Sequence, residues 1–97
     1  MKPFRWSHAK NERLKVERQI SFEEIVLAIA DGELLDILEH SNPDRYPNQR
    51  LMVVACDRYA YLVPFVEEPE YFFLKTIIPS RKATRDYLES GVHDDQA

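Results

Sequence analysis

Three cations, Arg81, Lys82 and Arg85, fall within five consecutive positions. They follow Ser80, whose hydroxyl suits the cap of a helix because it accepts a free backbone N–H. Arg81 and Lys82 then lie in the first turn, with Arg85 one turn further on. Cations at that end oppose the helix dipole, by about 0.3–1 kcal/mol each when exposed. The free N–H groups at the same end favour an anion. An anion bound there would be held by both sets of groups. The alternative is that the three side chains sit in solvent or pair with nearby acids.

Other chemistry has less support. His8, His40 and His93 are scattered, and none has a second histidine or a cysteine at ligand spacing, so no metal site is expected. No phosphate-binding glycine loop and no Gly-x-Ser-x-Gly elbow occurs, and no cofactor is expected. Cys56 is the one cysteine and lies in an apolar run, where an inert core thiol is expected. A single cysteine excludes an internal disulfide and fits a reducing cytoplasm.

The cations need a scaffold to position them. Residues 71–78 are aromatic and β-branched, as strands prefer, and Pro79 ends the ladder for want of an N–H. The chain then enters the helix capped by Ser80, with Gly91 as its stop. Upstream, 2–6 reads as a short strand with Phe4 and Trp6 on one face. Ser7 caps a polar surface helix over 8–17 whose apolar residues are Ala9, Leu14 and Val16. Ser21-Phe22-Glu23-Glu24 forms a capping box, flanked by Ile20 and Ile25 as a hydrophobic staple. It opens a helix over 22–30 with Phe22, Ile25, Val26, Ile29 and Ala30 as its apolar stripe. Residues 34–39 read as a strand or a short helix, and 40–49 as a loop. Residues 50–56 and 59–66 form a hairpin around Asp57-Arg58. Pro64 inside the second arm implies a bulge or an unpaired side. The strands are apolar on both faces. Either one face is left for a partner, or the chain's own loops and terminal helix cover it.

The 97 residues form one small domain, 1–90, followed by an acidic flexible tail at 91–97. No apolar run is long enough to span a membrane, and no signal peptide is present. The net charge of −4 argues against a general nucleic-acid binder. Its distribution is uneven. Residues 1–18 carry +4 and 75–88 carry +3, whereas 19–39 carry six acids and no base. The two basic segments are candidates for one patch.

The stretch Ile77-Ile78-Pro79-Ser80-Arg81-Lys82-Ala83-Thr84 resembles the Ile-Ile-Ser-Ala-Arg-Lys-Ala-Thr segment of the BrnT toxins. Those are RelE-like ribonucleases of bacterial type II toxin–antitoxin systems. Phe4-Arg5-Trp6-Ser7-His8-Ala9-Lys10-Asn11 is similar to their Phe-x-Trp-Asp-x-x-Lys-Asn opening, and Ile20-Ser21-Phe22-Glu23-Glu24 to their Val-Ser-Phe-Glu-Glu. The three matches keep the family's order and span most of the chain. Departures occur at Pro79 and Thr76, at Tyr87 where the family has an acid nearby, and at Glu17-Arg18-Gln19.

The resemblance implies an α+β, RelE-like fold: two N-terminal helices on an antiparallel sheet, then a C-terminal helix. It implies a cytoplasmic, metal-independent endoribonuclease that inhibits translation and growth. Such chemistry needs cations for the pentavalent phosphate and a leaving-group acid. Arg81 and Arg85 would clamp the phosphate through their bidentate forks. Lys82, Lys10 and Arg50 would add charge, and Tyr87 would act as general acid, stack a base, or simply pack its helix. No base stands out among His8, Glu39 and His40. The implied partners are RNA and a cognate antitoxin of ribbon-helix-helix type, with operator DNA bound only through that antitoxin. A second hypothesis keeps the fold and the partner-binding face without catalysis.

Overall fold

A computed structural model describes residues 1–89. The expected acidic tail, the Gly91 stop and His93 lie outside the described residues. The chain runs β1 (Phe4–Trp6), α1 (His8–Glu17), α2 (Phe22–Ala30), β2 (Leu34–Glu39), β3 (Gln49–Cys56), β4 (Tyr59–Glu67), β5 (Phe72–Leu74) and β6 (Ile78–Pro79). The C-terminal helix follows, as α3 (Arg81–Ala83) continued by a π-helical segment (Thr84–Glu89). This is a small α+β fold.

The sheet has strand order β1-β5-β4-β3-β2, with β6 also paired to β4. It is mixed, where the sequence led to an antiparallel expectation: β1 lies parallel to β5, Phe4 opposite Phe72. The reason is the long connection. Both helices and three strands intervene between β1 and β5, so no hairpin constrains their direction. The β3–β4 hairpin turns at Asp57 and Arg58, at φ +55° and +67°. Positive φ at both central residues is the mirror-image turn whose twist matches the flanking strands.

The expected single strand over 71–78 is interrupted. Leu74 sits opposite Phe65, but Ile78 sits opposite Leu62, so one extra residue is inserted between β5 and β6. Pro64 explains the position of the break. Its carbonyl accepts from Lys75 N–H at 2.8 Å, but it has no N–H to return. The Ile77 carbonyl at the break is taken by the Arg18 guanidinium, which satisfies a polar group on a fully buried residue. Pro79 ends the ladder as expected, as its last paired residue, opposite Tyr61. A proline is tolerated there because the strand stops at it.

One face of the sheet carries the main core. Phe22 and Ile25 of α2 and Leu14 of α1 are fully buried against Met52, Val54, Val63, Phe65 and Leu74. Each such side chain contributes about 1.5–3 kcal/mol of burial. The capping box of α2 is present: Ser21 accepts from Glu24 N–H, and Glu24 accepts from Ser21 N–H at 2.9 Å. Ala28, not Ala30, completes the buried stripe, with Val26 and Ile29 half-buried beside it. Asn11 reaches across from α1. Its Oδ1 accepts from Phe22 N–H and its Nδ2 donates to Glu23, both at 2.8 Å.

The opposite face is partly covered by the chain itself. Ala83, Tyr87 and Leu88 of the C-terminal helix pack against Val53, Ala60, Leu35 and Leu62. The two N-terminal helices and the C-terminal helix thus lie on opposite faces.

Candidate functional site

The C-terminal helix is tied to β4 at its first turn. Ser80 N–H donates to the Ala60 carbonyl, and Ser80 Oγ accepts from Ala83 N–H, both at 3.0 Å. Thr84 Oγ1 accepts from Ala60 N–H and donates to the Ser80 carbonyl, each at 2.8 Å. That carbonyl also takes Thr84 N–H, at 3.0 Å. A hydroxyl sharing the carbonyl one turn back loosens the α-helical ladder. The expected α-helix widens at this residue into π turns.

The widened helix presents two faces. Ala83 and Thr84 are buried and Tyr87 and Leu88 half-buried, while Arg81, Lys82, Arg85 and Asp86 are exposed. Arg81, Lys82 and Arg85 are therefore together on the solvent side. Asp86 accepts from Lys82 Nζ at 2.7 Å and lies 3.6 Å from Arg85 Nε. The Lys82 hydrogen bond is the largest influence holding the Asp86 carboxyl below its usual range. Among the described residues no ion-pair or hydrogen-bond partner takes the Arg81 guanidinium. The cluster thus divides into one open cation and two that share an acid.

Tyr87 faces the sheet. Its hydroxyl donates to Asp36 Oδ2 at 2.6 Å. That bond, reinforced by burial and the Asp36 charge, raises the phenol above its ordinary value. A phenol so held is a poor proton donor unless it exchanges its partner. Beside it a small cleft of about 180 Å³ is lined by Leu38, Val53, Leu62, Ser80, Lys82 and Tyr87. Asp36 escaped sequence reasoning; the available signal was an acid flanked by apolar residues in a short strand.

Lys10 and Arg50 are not brought to this cluster. Lys10 is on α1, which packs on the other face of the sheet. Arg50 sits opposite Phe65, whose side chain is in that same core, with its guanidinium 5.0 Å from the ring centroid. It donates to Glu67 at 2.8 Å, and Glu67 also accepts from Lys2 at 2.6 Å. These three residues line an open cleft of about 420 Å³ with Glu39 and Glu68. Lys2 and Arg50 thus lie in a cleft of mixed charge, apart from the cations at 81–85.

Cys56 is half-buried, and burial pushes its thiol up, away from nucleophilic character. Among the described residues no group of three or more His, Cys, Asp or Glu side chains could hold a metal ion. No helix there is long and apolar enough to cross a membrane.

Comparison of the chain with protein-family models, with curated proteins and with solved structures gives no significant match.

Proposed function

We propose that this chain is the toxin of a type II toxin–antitoxin pair: a BrnT-like, RelE-like endoribonuclease that works without a metal in the cytoplasm and arrests translation and growth. The observation that carries the reading is the exposed Arg81 guanidinium. It is open among the described residues, at the start of a helix that also presents Lys82 and Arg85. The three sequence resemblances and the α+β layout, with a C-terminal helix on the face of the sheet opposite the N-terminal pair, support it.

In this reading the RNA 2′-hydroxyl loses its proton to solvent, its oxygen bonds to the adjacent phosphorus, and the P–O5′ bond breaks as the 5′-oxygen leaves. Arg81 takes the non-bridging phosphate oxygens through its fork, and Arg85 joins it on the same face. Lys82 supplies charge when Asp86 releases it. Tyr87 acts as leaving-group acid by exchanging Asp36 for the departing oxygen. Lys10 and Arg50, on the other face, guide the RNA at long range and do not touch the scissile phosphate. A cognate ribbon-helix-helix antitoxin neutralises the chain and alone contacts operator DNA.

The engagement of Tyr87 with Asp36 favours a second reading: an antitoxin-binding module with the same surface and no nuclease step. Incubation of the purified chain with single-stranded RNA in a metal chelator separates the two. Cleavage to 2′,3′-cyclic phosphate ends supports the first. An uncleaved substrate, with growth unaffected on expression in a bacterial host, supports the second.

A further inference from the structure

We propose that the half of the sheet face left open beside the C-terminal helix binds a single-stranded nucleic acid, with bases on Tyr71 and Phe73 and phosphates on Arg5 and Lys75. Binding there needs no cleavage, so the proposal stands or falls apart from the nuclease reading.

The register builds this face. Phe4, Trp6, Phe72 and Leu74 belong to the main core, so Arg5 and Phe73, which lie opposite each other, stand on the other side of the sheet. Val66 is opposite Phe73, and Gln49 is opposite Val66. Arg5, Phe73, Val66 and Gln49 thus form one row across β1, β5, β4 and β3, about 14 Å long at ~4.8 Å between strands. The next row holds Pro64, Leu51 and Leu38. Beyond it stand Leu62 and Val53, against which the C-terminal helix packs. At the far end of the first row Gln49 N–H donates to the Tyr46 carbonyl at 3.2 Å. A cleft of about 280 Å³ there sets Arg45 and Tyr46 beside Val66.

Cations and rings are paired along this face. The Arg5 guanidinium lies 5.1 Å from the Tyr71 ring centroid, Lys75 Nζ 5.7 Å from that of Phe73, and Arg45 5.7 Å from that of Tyr46. Tyr71 and Phe73 are half-buried and Tyr46 is exposed, so part of each ring is open. Two similar pairs on the core side, Lys2 on Phe72 and Arg50 on Phe65, have both cations tied to Glu67. Arg5, Lys75 and Arg45 have no ion-pair partner among the described residues. The strands bring one acid to this face, Asp36, and Tyr87 already takes it. Glu39 and Glu67 stand opposite Arg50 and Phe72, on the core side. Asp44, Glu68 and Glu70 lie in the flanking loops and pair with none of the three cations.

This pairing selects the occupant. An incoming base takes the ring, and the cation swings to the adjacent phosphate. Every base has a π-face, and sheet aromatics stack about two or three bases in RNA-binding sheets. A duplex hides those faces and cannot use the rings. A docked protein helix needs apolar pockets for its anchor side chains. The clefts on this face hold only about 180 and 280 Å³ and are rimmed by Lys82 and Arg45. The net charge of −4 predicts no general affinity, so binding is confined to this face.

The test is fluorescence anisotropy of labelled oligonucleotides with the full chain. The probes are oligodeoxythymidine and 2′-O-methyl oligouridine, neither of which has a 2′-hydroxyl to attack. Binding at low salt is expected, and the tighter probe tells whether DNA or RNA is the natural strand. Arg5→Ala and Lys75→Ala should each weaken binding several-fold and cut the salt slope of the log affinity by about 0.7. Phe73→Leu keeps an apolar side chain and should weaken binding about tenfold. Should that variant unfold, the two cation variants still decide, because both side chains are exposed. Arg13→Ala, on α1, should bind as wild type does. Absence of binding by both probes overturns the proposal, as does binding that the variants leave unchanged. Tighter binding of a duplex of the same length also overturns it. So does tighter binding of an acidic peptide, which would assign the face to a protein partner.

Discussion

The Tyr87 hydroxyl donates to Asp36 Oδ2 at 2.6 Å, joining the C-terminal helix to strand β2 across 51 positions of sequence. The same carboxylate takes Ile37 N–H through its other oxygen. Asp36 therefore serves both the sheet edge and the helix that carries the cation cluster. Tyr87→Phe removes this latch while keeping the ring packed. We expect a loss of about 1 kcal/mol, below the range of about 1.5–3 kcal/mol for a bond to a charged group, because the pair is only partly shielded from water. The sign with pH follows from the raised phenol. The latch contributes fully below the unfolded tyrosine value, about 10. It is lost as pH rises through the higher folded value. Thermal melts of wild type and Tyr87→Phe should differ at neutral pH and converge above that range.

Asn11 joins the two N-terminal helices, and its removal strands a donor. In Asn11→Ala, Phe22 N–H loses its acceptor in a buried setting. A cost of about 1–3 kcal/mol is expected in denaturant unfolding. Asn11→Asp should also destabilise at neutral pH, because it sets a carboxylate against Glu23, to which Asn11 now donates. Its deficit should shrink on acidification.

Glu67 is held below the usual carboxylate range, first by the Lys2 hydrogen bond and then by the charges of Lys2 and Arg50. A depressed folded value means that the contribution is present above the unfolded glutamate pKa and is lost as pH falls through the folded one. Glu67→Gln should therefore flatten part of the acid limb of the stability profile. Its cost should be greatest above the unfolded glutamate value and should vanish as pH falls through the folded one, and it should be small throughout because the pair is exposed. Unfolding midpoints measured through the acid range check this.

The helices and the hairpin were legible in the sequence because their signals are local. Ser7 caps α1 and the Ser21 box opens α2, and the Asp57-Arg58 turn lies where two apolar runs face each other. What was not legible depends on residues far apart. The parallel pairing of β1 and β5 joins the chain's start to position 72. The split of the last strand could be anticipated only as an irregularity at Pro64; where it falls depends on which side of β4 lacks the N–H. Ala28 displaced Ala30 from the core because the sheet, not the helix period alone, sets which flank is buried. At the candidate site the cations 81–85 were legible as a cluster. The Lys82–Asp86 pair follows from helical spacing. That Lys10 and Arg50 belong to the other face follows only from which side of the sheet α1 covers.

Arg81 is where the charge at the helix start, the sequence resemblance and the chemistry of phosphate coincide. Unlike Lys82 and Arg85 it shares no acid with its neighbours among the described residues. If it holds the scissile phosphate, Arg81→Ala should abolish RNA cleavage and growth arrest. The unfolding temperature should barely move, since an exposed side chain without a described partner contributes within about 0.5 kcal/mol. Arg81→Lys should recover part of the activity, because a point charge replaces the attraction but not the fork. Lys82→Ala should reduce activity less than Arg81→Ala does, because its ammonium is already engaged by Asp86. Arg13→Ala, on the exposed side of α1, is the control and should change neither activity nor stability. Full toxicity in Arg81→Ala would remove Arg81 from the phosphate. Unfolding of that variant would instead assign it a structural ion pair.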